Sequence, residues 1–247
     1  MNDLLTRVLE AHGGLERFNS FEIVSATLVA GGDFWATKNI GIDAFPLVAT
    51  TAIHREWATV APYGDPKWRM NFAPDRVEVK TTENVIVAER NDPAAAFKGH
   101  GLKTPWDPLH LAYFNGYTLW TYLTTPFLIA MPGFEVDEIA PWHEGGESWR
   151  VLRATFPSEI ASHCRQQEFY FGPDFLLRRH DYQVDVSGGF LVAHYVYDFK
   201  EFNGFRFPTR RRAHARNADL QADFSHTLVW IDLSDFQLSC GSSKGPL

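Results

Sequence analysis

Arginine, histidine and tyrosine recur at alternate positions in three late segments of the chain: Arg178, His180 and Tyr182, then Tyr195 and Tyr197, then Arg210, Arg212 and His214. Alternate residues of a strand share one face. An imidazole near its ordinary pKa of about 6.5 can act as a general base. A phenol beside it can donate a proton or a hydrogen bond, and a guanidinium can hold a carboxylate or a developing oxyanion. Brought together, these groups could grip the polar end of a ligand or move a proton on it.

Two turns decide whether they meet. Gly188-Gly189 and Asn203-Gly204 read as two-residue hairpin loops, and such loops fix which residues lie opposite one another. The first then sets Tyr182 opposite Tyr195, His180 opposite Tyr197 and Arg178 opposite Phe199. The second sets Tyr197 opposite Arg210, Tyr195 opposite Arg212 and Ala193 opposite His214. One face so gathers the whole set, with Leu176, Val184 and Phe199 beside it. We expect this to be the concave wall of a pocket for a ligand with an apolar body and an acceptor or anionic end. His180, Tyr197 and Arg210 are the candidates for catalysis, and Arg178, Tyr182, Tyr195, Arg212 and His214 are the candidate ligand contacts. The opposite set includes Arg179, Asp181, Gln183, Asp185, His194, Asp198, Lys200, Thr209 and Arg211; it mixes charges of both signs and reads as a solvated convex surface. A bulge at either turn would exchange the two sets. Taken singly, any of these arginines and tyrosines also fits a structural role, donating to helix carbonyls or to a carboxylate such as Glu168.

A metal does not fit the same residues. No HxH or HExxH spacing occurs, and the register separates His180 from His214 by two strand spacings of about 4.8 Å and an offset of about 13 Å. No phosphate-cradling glycine loop and no GxSxG elbow is present. The expectation is a site without metal or cofactor.

The element that must back this wall is Trp106 to Met131, which carries no formal charge from Pro108 onward. Asp107-Pro108 is a helix start, Thr125-Pro126 breaks or kinks the helix, and Pro132-Gly133 ends it. Leu109, Tyr113, Gly116, Trp120, Leu123 and Phe127 form one stripe at helical spacing, and Phe114, Tyr117, Thr121 and Leu128 the other. Tyr113, Tyr117 and Trp120 are expected to reach the ligand. The uncharged run approaches the ~20 residues of a membrane span. Asn115-Gly116, the threonines and Pro126 interrupt it, however, and no Lys or Arg cluster flanks it. It reads as a buried, broken helix inside a wrapping sheet, with no stable membrane insertion. His110, early on it, fits the packing at the helix start better than the cavity.

Around it the chain alternates like strands. The spacing predicts a short capped helix from Asn2 or Asp3, then strands over Phe21–Ala30, Val48–Val60, Lys67–Phe72, Asp75–Thr81 and Asn84–Arg90. After the helix come Phe134–Trp142, Ser148–Thr155, Gln166–Phe171, Phe175–Val186, Phe190–Phe202, Phe205–Arg216 and Ser225–Phe236. Short Gly, Asn and Pro joints force antiparallel neighbours. The fold class is mainly β, a strongly curved antiparallel sheet forming a half-open barrel around a central broken helix. A single domain over residues 1–240 with a loose tail at Gly241–Leu247 is expected.

The formal net charge of −7 and the pI near 5.8 exclude a nucleic-acid binder. Cys164 and Cys240 are the only cysteines and read as free thiols. The opening MNDLLTRVLEAHGG lacks a long apolar run, so without a removed leader a cytoplasmic protein is expected. Oligomeric state is not legible.

The opening LLTRVLEAHGGLERFNSFEIVSATL, the late HYVYDFKEFNGFRFPTRRR and the helix between them resemble the bacterial lipoprotein-carrier superfamily, the LolA/LolB-like fold. The run Phe202-Asn203-Gly204-Phe205-Arg206-Phe207-Pro208 is the most specific piece. The resemblance implies a half-open barrel closed by helices around a hydrophobic cavity for acyl chains or other greasy ligands. The expected function is binding of a hydrophobic or aromatic small molecule with a polar or anionic end. The alternative is a cofactor-independent lyase, isomerase or hydrolase working through His180, Tyr197 and Arg210.

Overall fold

Asn2 caps helix α1 (Asp3–Ala11): its side-chain oxygen accepts the N–H groups of Leu4 at 2.8 Å and Leu5 at 3.4 Å. The computed structural model describes residues 2–41 and 45–240, so the expected tail at Gly241–Leu247 lies outside the described residues. Helix α1 buries Leu4, Leu5, Val8 and Leu9, and the short α2 (Leu15–Phe18) follows. Gly13 between them has φ +124°, and a Cβ there would meet the Phe205 ring at 2.5 Å, so only glycine fits.

The first half of the sheet is β1 (Ile23–Gly31), β2 (Leu47–Ala52), β3 (Ala58–Ala61), β4 (Trp68–Ala73), β5 (Arg76–Thr81) and β6 (Ile86–Asn91), with a short helix α3 (Phe34–Thr37) after β1. The span 48–60, expected as one strand, is two. The chain reverses after Ala52, and Thr50 pairs with Thr59 across the turn. The second half is β7 (Glu135–Glu144), β8 (Glu147–Thr155), β9 (Gln166–Phe171), β10 (Leu177–Val184), β11 (Phe190–Phe202), β12 (Phe205–Ala215) and β13 (Val229–Ser239). Among the described residues these form one antiparallel sheet, in the order β6-β5-β4-β3-β2-β1-β13-β12-β11-β10-β9-β8-β7. Pairing of β1 with β13 joins two meanders into a single curved, half-open barrel.

The central helix α4 (Pro108–Thr124) lies against the concave side of this sheet. Asp107 and His110 cap it reciprocally: the His110 N–H donates to Asp107 Oδ1 at 2.8 Å, and the Asp107 N–H donates to His110 Nδ1 at 3.2 Å. Arg90 holds the same carboxylate at 2.6 Å. The helix stops at Thr124, and a 3-10 turn (Phe127–Ala130) follows the Thr125-Pro126 break. Apart from half-buried Asn115, every residue from Ala112 to Thr124 is buried. Gly116 permits this, because a Cβ there would lie 2.1 Å from the Phe72 ring. Trp120 Nε1 donates to the Ala52 carbonyl at 3.0 Å and pins the helix to β2. No helix among the described residues is long and apolar enough to cross a membrane.

One of the two expected registers holds. Strands β11 and β12 pair Tyr197 with Arg210, Tyr195 with Arg212 and Ala193 with His214. The β10–β11 register does not: Arg179 faces Tyr195, His180 faces His194 and Tyr182 faces Val192. Gly188-Gly189 is the end of a longer loop, not a loop by itself. Asp185–Ser187 coils into a 3-10 turn, the Asp185 N–H turns away to the His163 carbonyl at 3.0 Å, and the ladder closes at Val184 and Phe190. The pairing therefore shifts by an odd number of residues, which moves His180 and Tyr182 to the face opposite Tyr195 and Tyr197.

Candidate functional site

Between α4 and the sheet lies a partly enclosed cavity of about 80 Å³. The helix contributes Phe114, Thr118, Leu119 and Tyr122, α3 contributes Phe34 and Trp35, and the sheet contributes Leu28, Val60, Val192, Ala213 and Ile231 among others. Among the described residues no Asp, Glu, Lys or Arg lines it. Its polar lining is Asn115 and Thr118 along the helix and, meeting in one place, Tyr122, Tyr182 and His163.

Those three belong to a hydrogen-bonded chain. The Tyr122 hydroxyl lies 2.8 Å from His163 Nε2 and 3.1 Å from the Tyr182 hydroxyl, which lies 3.1 Å from His194 Nδ1. The His163 and Tyr182 rings stack at 3.8 Å. His163 Nδ1 and His194 Nε2 have no protein partner. Burial drives the titration of every member toward its neutral form. His163 falls to about 3, His194 falls well below its ordinary value, Tyr122 rises to about 12 and Tyr182 rises well above its usual range. The cavity thus ends in neutral phenols and imidazoles able both to donate and to accept.

Behind Tyr122 stands Arg211, which is 1% exposed. Its guanidinium lies 4.7 Å from the Tyr122 ring centroid and donates to the Tyr122 carbonyl at 2.9 Å. That carbonyl is in the last turn of α4, which has no basic residue of its own, so Arg211 supplies the cation that a helix C-terminus favours. Desolvation lowers Arg211 to about 10, still far enough above neutrality to keep its charge.

The candidates named from the sequence separate. His180 and Tyr182 are on the concave face with His194 and Arg211. His180 is buried behind the cavity, stacked on Phe169 at 4.3 Å with Nε2 2.7 Å from Gln167 Oε1. Tyr195, Tyr197, Arg210, Arg212 and His214 are on the convex face, so His180 does not meet Tyr197 and Arg210. Arg210 is 52% exposed and pairs with Asp198 at 3.2 Å, and Arg212 pairs with Asp232 at 2.7 Å. Arg178, at the β9–β10 irregularity, pairs with Asp174 at 2.9 Å and Glu147 at 3.3 Å. Tyr113, Tyr117 and Trp120 are buried but do not line the cavity; they sit in the core, Tyr113 against Phe72 and Tyr117 against His163.

The residues expected on a solvated face divide as well: Gln183, Asp185, Asp198 and Lys200 are exposed, whereas Arg179, Asp181, His194, Thr209 and Arg211 are buried. Arg179 and Asp181 have fully buried side chains paired at 2.6 Å, and Tyr195, Tyr170, Trp149 and Val151 form a second small apolar cluster around them. Mixed charge along these strands therefore reflects buried ion pairs as well as water. His163, Tyr122, His194 and Arg211 are the residues that the sequence reading left outside the site. Tyr122 sits four residues after Thr118 on one helical face, a spacing that could have flagged it. His163 is in a loop, where no periodicity applies.

No protein-family model matches the chain, and no curated protein matches it. Solved structures do. A LolA superfamily protein from Nitrosomonas europaea is 12% identical with a TM-score of 0.53, over 96% of this chain and 94% of that one. A DUF1329 family protein from Desulfovibrio piger is 10% identical with a TM-score of 0.54, over 98% and 96%. A domain from Vibrio parahaemolyticus named for outer membrane lipoprotein sorting is 7% identical with a TM-score of 0.57, over 98% and 93%. The chain has a LolA-like fold.

Proposed function

We propose that the protein binds a hydrophobic or aromatic small molecule in the cavity between α4 and the sheet, with the molecule's polar end at Tyr122, Tyr182 and His163. The observation that carries this reading is the lining: mostly apolar side chains, no formal charge among the described residues, and a few hydrogen-bonding groups, of which Tyr122, Tyr182 and His163 meet in one place while Asn115 and Thr118 lie further back along α4. That is the composition of a small-molecule pocket, in which apolar area supplies affinity and a few polar groups fix orientation. The fold supports it, since one of the similar structures is named for lipoprotein sorting.

A ligand that binds only the folded state raises the melting temperature in proportion to the logarithm of its concentration. The test is untargeted mass spectrometry of an organic extract of the purified protein, followed by a melting series with each molecule recovered. A hydrophobic molecule enriched over a control protein and raising Tm supports the reading. Extracts identical to the control, with no Tm shift from amphiphiles added at saturation, would reject it.

A further inference from the structure

The cavity's polar end sits beside an uncompensated charge. The other fully buried arginine, Arg179, has Asp181 at 2.6 Å and Glu144 at 3.1 Å. Arg211, just as deeply buried, forms no ion pair among the described residues. Its Nε has no partner at all, and its one hydrogen bond goes to a neutral carbonyl. Partial negative charge at the end of α4 offsets roughly half a unit. Apart from the face of the Tyr122 ring, 4.7 Å away, the described surroundings answer it with no anion: His163, His180 and His194 are neutral, Tyr122 and Tyr182 are protonated, and no carboxylate among the described residues lines the cavity. A buried cation without a counter-ion is costly, and the residue it packs against, Tyr122, turns its hydroxyl to the cavity.

Resting on the reading that the cavity takes a hydrophobic ligand, we infer that the ligand's polar end is a single negative charge, a carboxylate, accepting from the Tyr122 and Tyr182 hydroxyls against the field of Arg211. Both phenols line the cavity and lie 3.1 Å apart, so the two oxygens of one carboxylate can each take one. For both to donate inward, the hydrogen bond between the two hydroxyls is given up, and His163 Nε2 and His194 Nδ1 turn donor toward the phenol oxygens, which moves each ring's acceptor to the nitrogen that has no partner among the described residues. One guanidinium balances one charge. A phosphate monoester, with nearly two at neutral pH, would leave an excess anion in an apolar site.

The experiment uses the full chain and four probes with one common tail: decanoate, 1-decanol, methyl decanoate and decyl phosphate, each displacing the neutral dye Nile red at pH 7.5. Decanoate should bind about 10- to 100-fold more tightly than the alcohol and the ester, the range of a charge-assisted hydrogen bond. Decyl phosphate should not exceed decanoate. In Tyr122→Phe with Tyr182→Phe the ratio of decanoate to decanol affinity should fall toward one. Arg211→Lys, which keeps the charge, should retain a preference, and Arg211→Met, if it folds, should lose it. Equal affinities for decanoate and decanol in the wild type would overturn the carboxylate assignment while leaving the hydrophobic cavity standing. Displacement by none of the four would instead overturn the cavity reading on which it rests.

Discussion

The hydroxyls of Tyr122 and Tyr182 meet at 3.1 Å, one carried by the central helix and the other by β10, and with His163 they form a polar cluster in a mostly apolar cavity. Helix and sheet are far apart in sequence, and this contact fixes one against the other where a ligand would need a constant hydrogen-bonding geometry. Replacing Tyr182 by Phe removes a hydroxyl that Tyr122 and His194 both use. We expect a loss of about 1 to 3 kcal/mol in a urea titration, the cost of leaving buried polar groups unpaired. An unchanged midpoint would mean that the chain of hydroxyls and imidazoles does not hold α4 to the sheet.

Two arginines on the convex face of β10 to β12 differ in burial and make opposite forecasts. Arg179→Ala strips a buried carboxylate, Asp181, of its closest cation, although Arg216 remains 3.1 Å away, and should destabilise by about 3 kcal/mol. Arg210→Ala removes only exposed pairs with Asp198 and Asp232 and should change stability by less than about 1 kcal/mol. Equal effects of the two substitutions, measured by chemical denaturation, would contradict the placement of these side chains.

Buried histidines give the stability a direction in pH. Burial lowers His12 to about 4 and His163 to about 3, and puts His180 and His194 well below their ordinary value of 6.5. Below pH 6.5 the unfolded chain takes up protons that the folded chain refuses, so stability falls with pH, by about 1.4 kcal/mol per unit for each histidine. Glu56 acts oppositely. Buried near Ala161, it rises to about 8, so the folded state holds its proton longer and stability declines as pH climbs from 4.5 to 8. The histidines outnumber it below pH 6.5, and the urea midpoint should be highest near pH 6.5 to 7 and drop steeply toward pH 4.5. A flat profile over that acid limb would show that the histidines are not buried in neutral form.

Much of the fold could be read from residue order. Asn2 and Asp107 mark helix starts, Thr125-Pro126 marks the break, and the Gly, Asn and Pro joints separate antiparallel strands. The uncharged run after Pro108 identifies the helix that the sheet has to cover. The site was less legible, for two physical reasons. Gly188-Gly189 has the composition of a tight turn, but the backbone bond from Asp185 to the His163 carbonyl draws three more residues out of the ladder. Only a long-range contact decides that, and it reverses β10 against β11. The second reason is that Arg179, Asp181, His194 and Arg211 look like surface residues by type, whereas an ion pair buries the first two, a bond to the Tyr182 hydroxyl goes with the burial of His194, and a helix-end carbonyl receives Arg211. Tyr197, Arg210 and Arg212, which look like a pocket wall, lie on the convex face with Arg210 and Arg212 answered by Asp198 and Asp232.

The account stands or falls on whether the space between α4 and the sheet takes a hydrophobic molecule. Ala213 lines that space, is 3% exposed and points at it from β12. Ala213→Leu fills the cavity from this position, and because its added carbons enter existing space it should change stability by no more than about 1 kcal/mol. Nile red fluorescence, titrated against the wild type and the folded Ala213→Leu protein, is the direct measurement. Saturable binding to the wild type that weakens at least about 10-fold in the filled variant is the predicted result. Equal binding to both proteins, or none to the wild type, would contradict it.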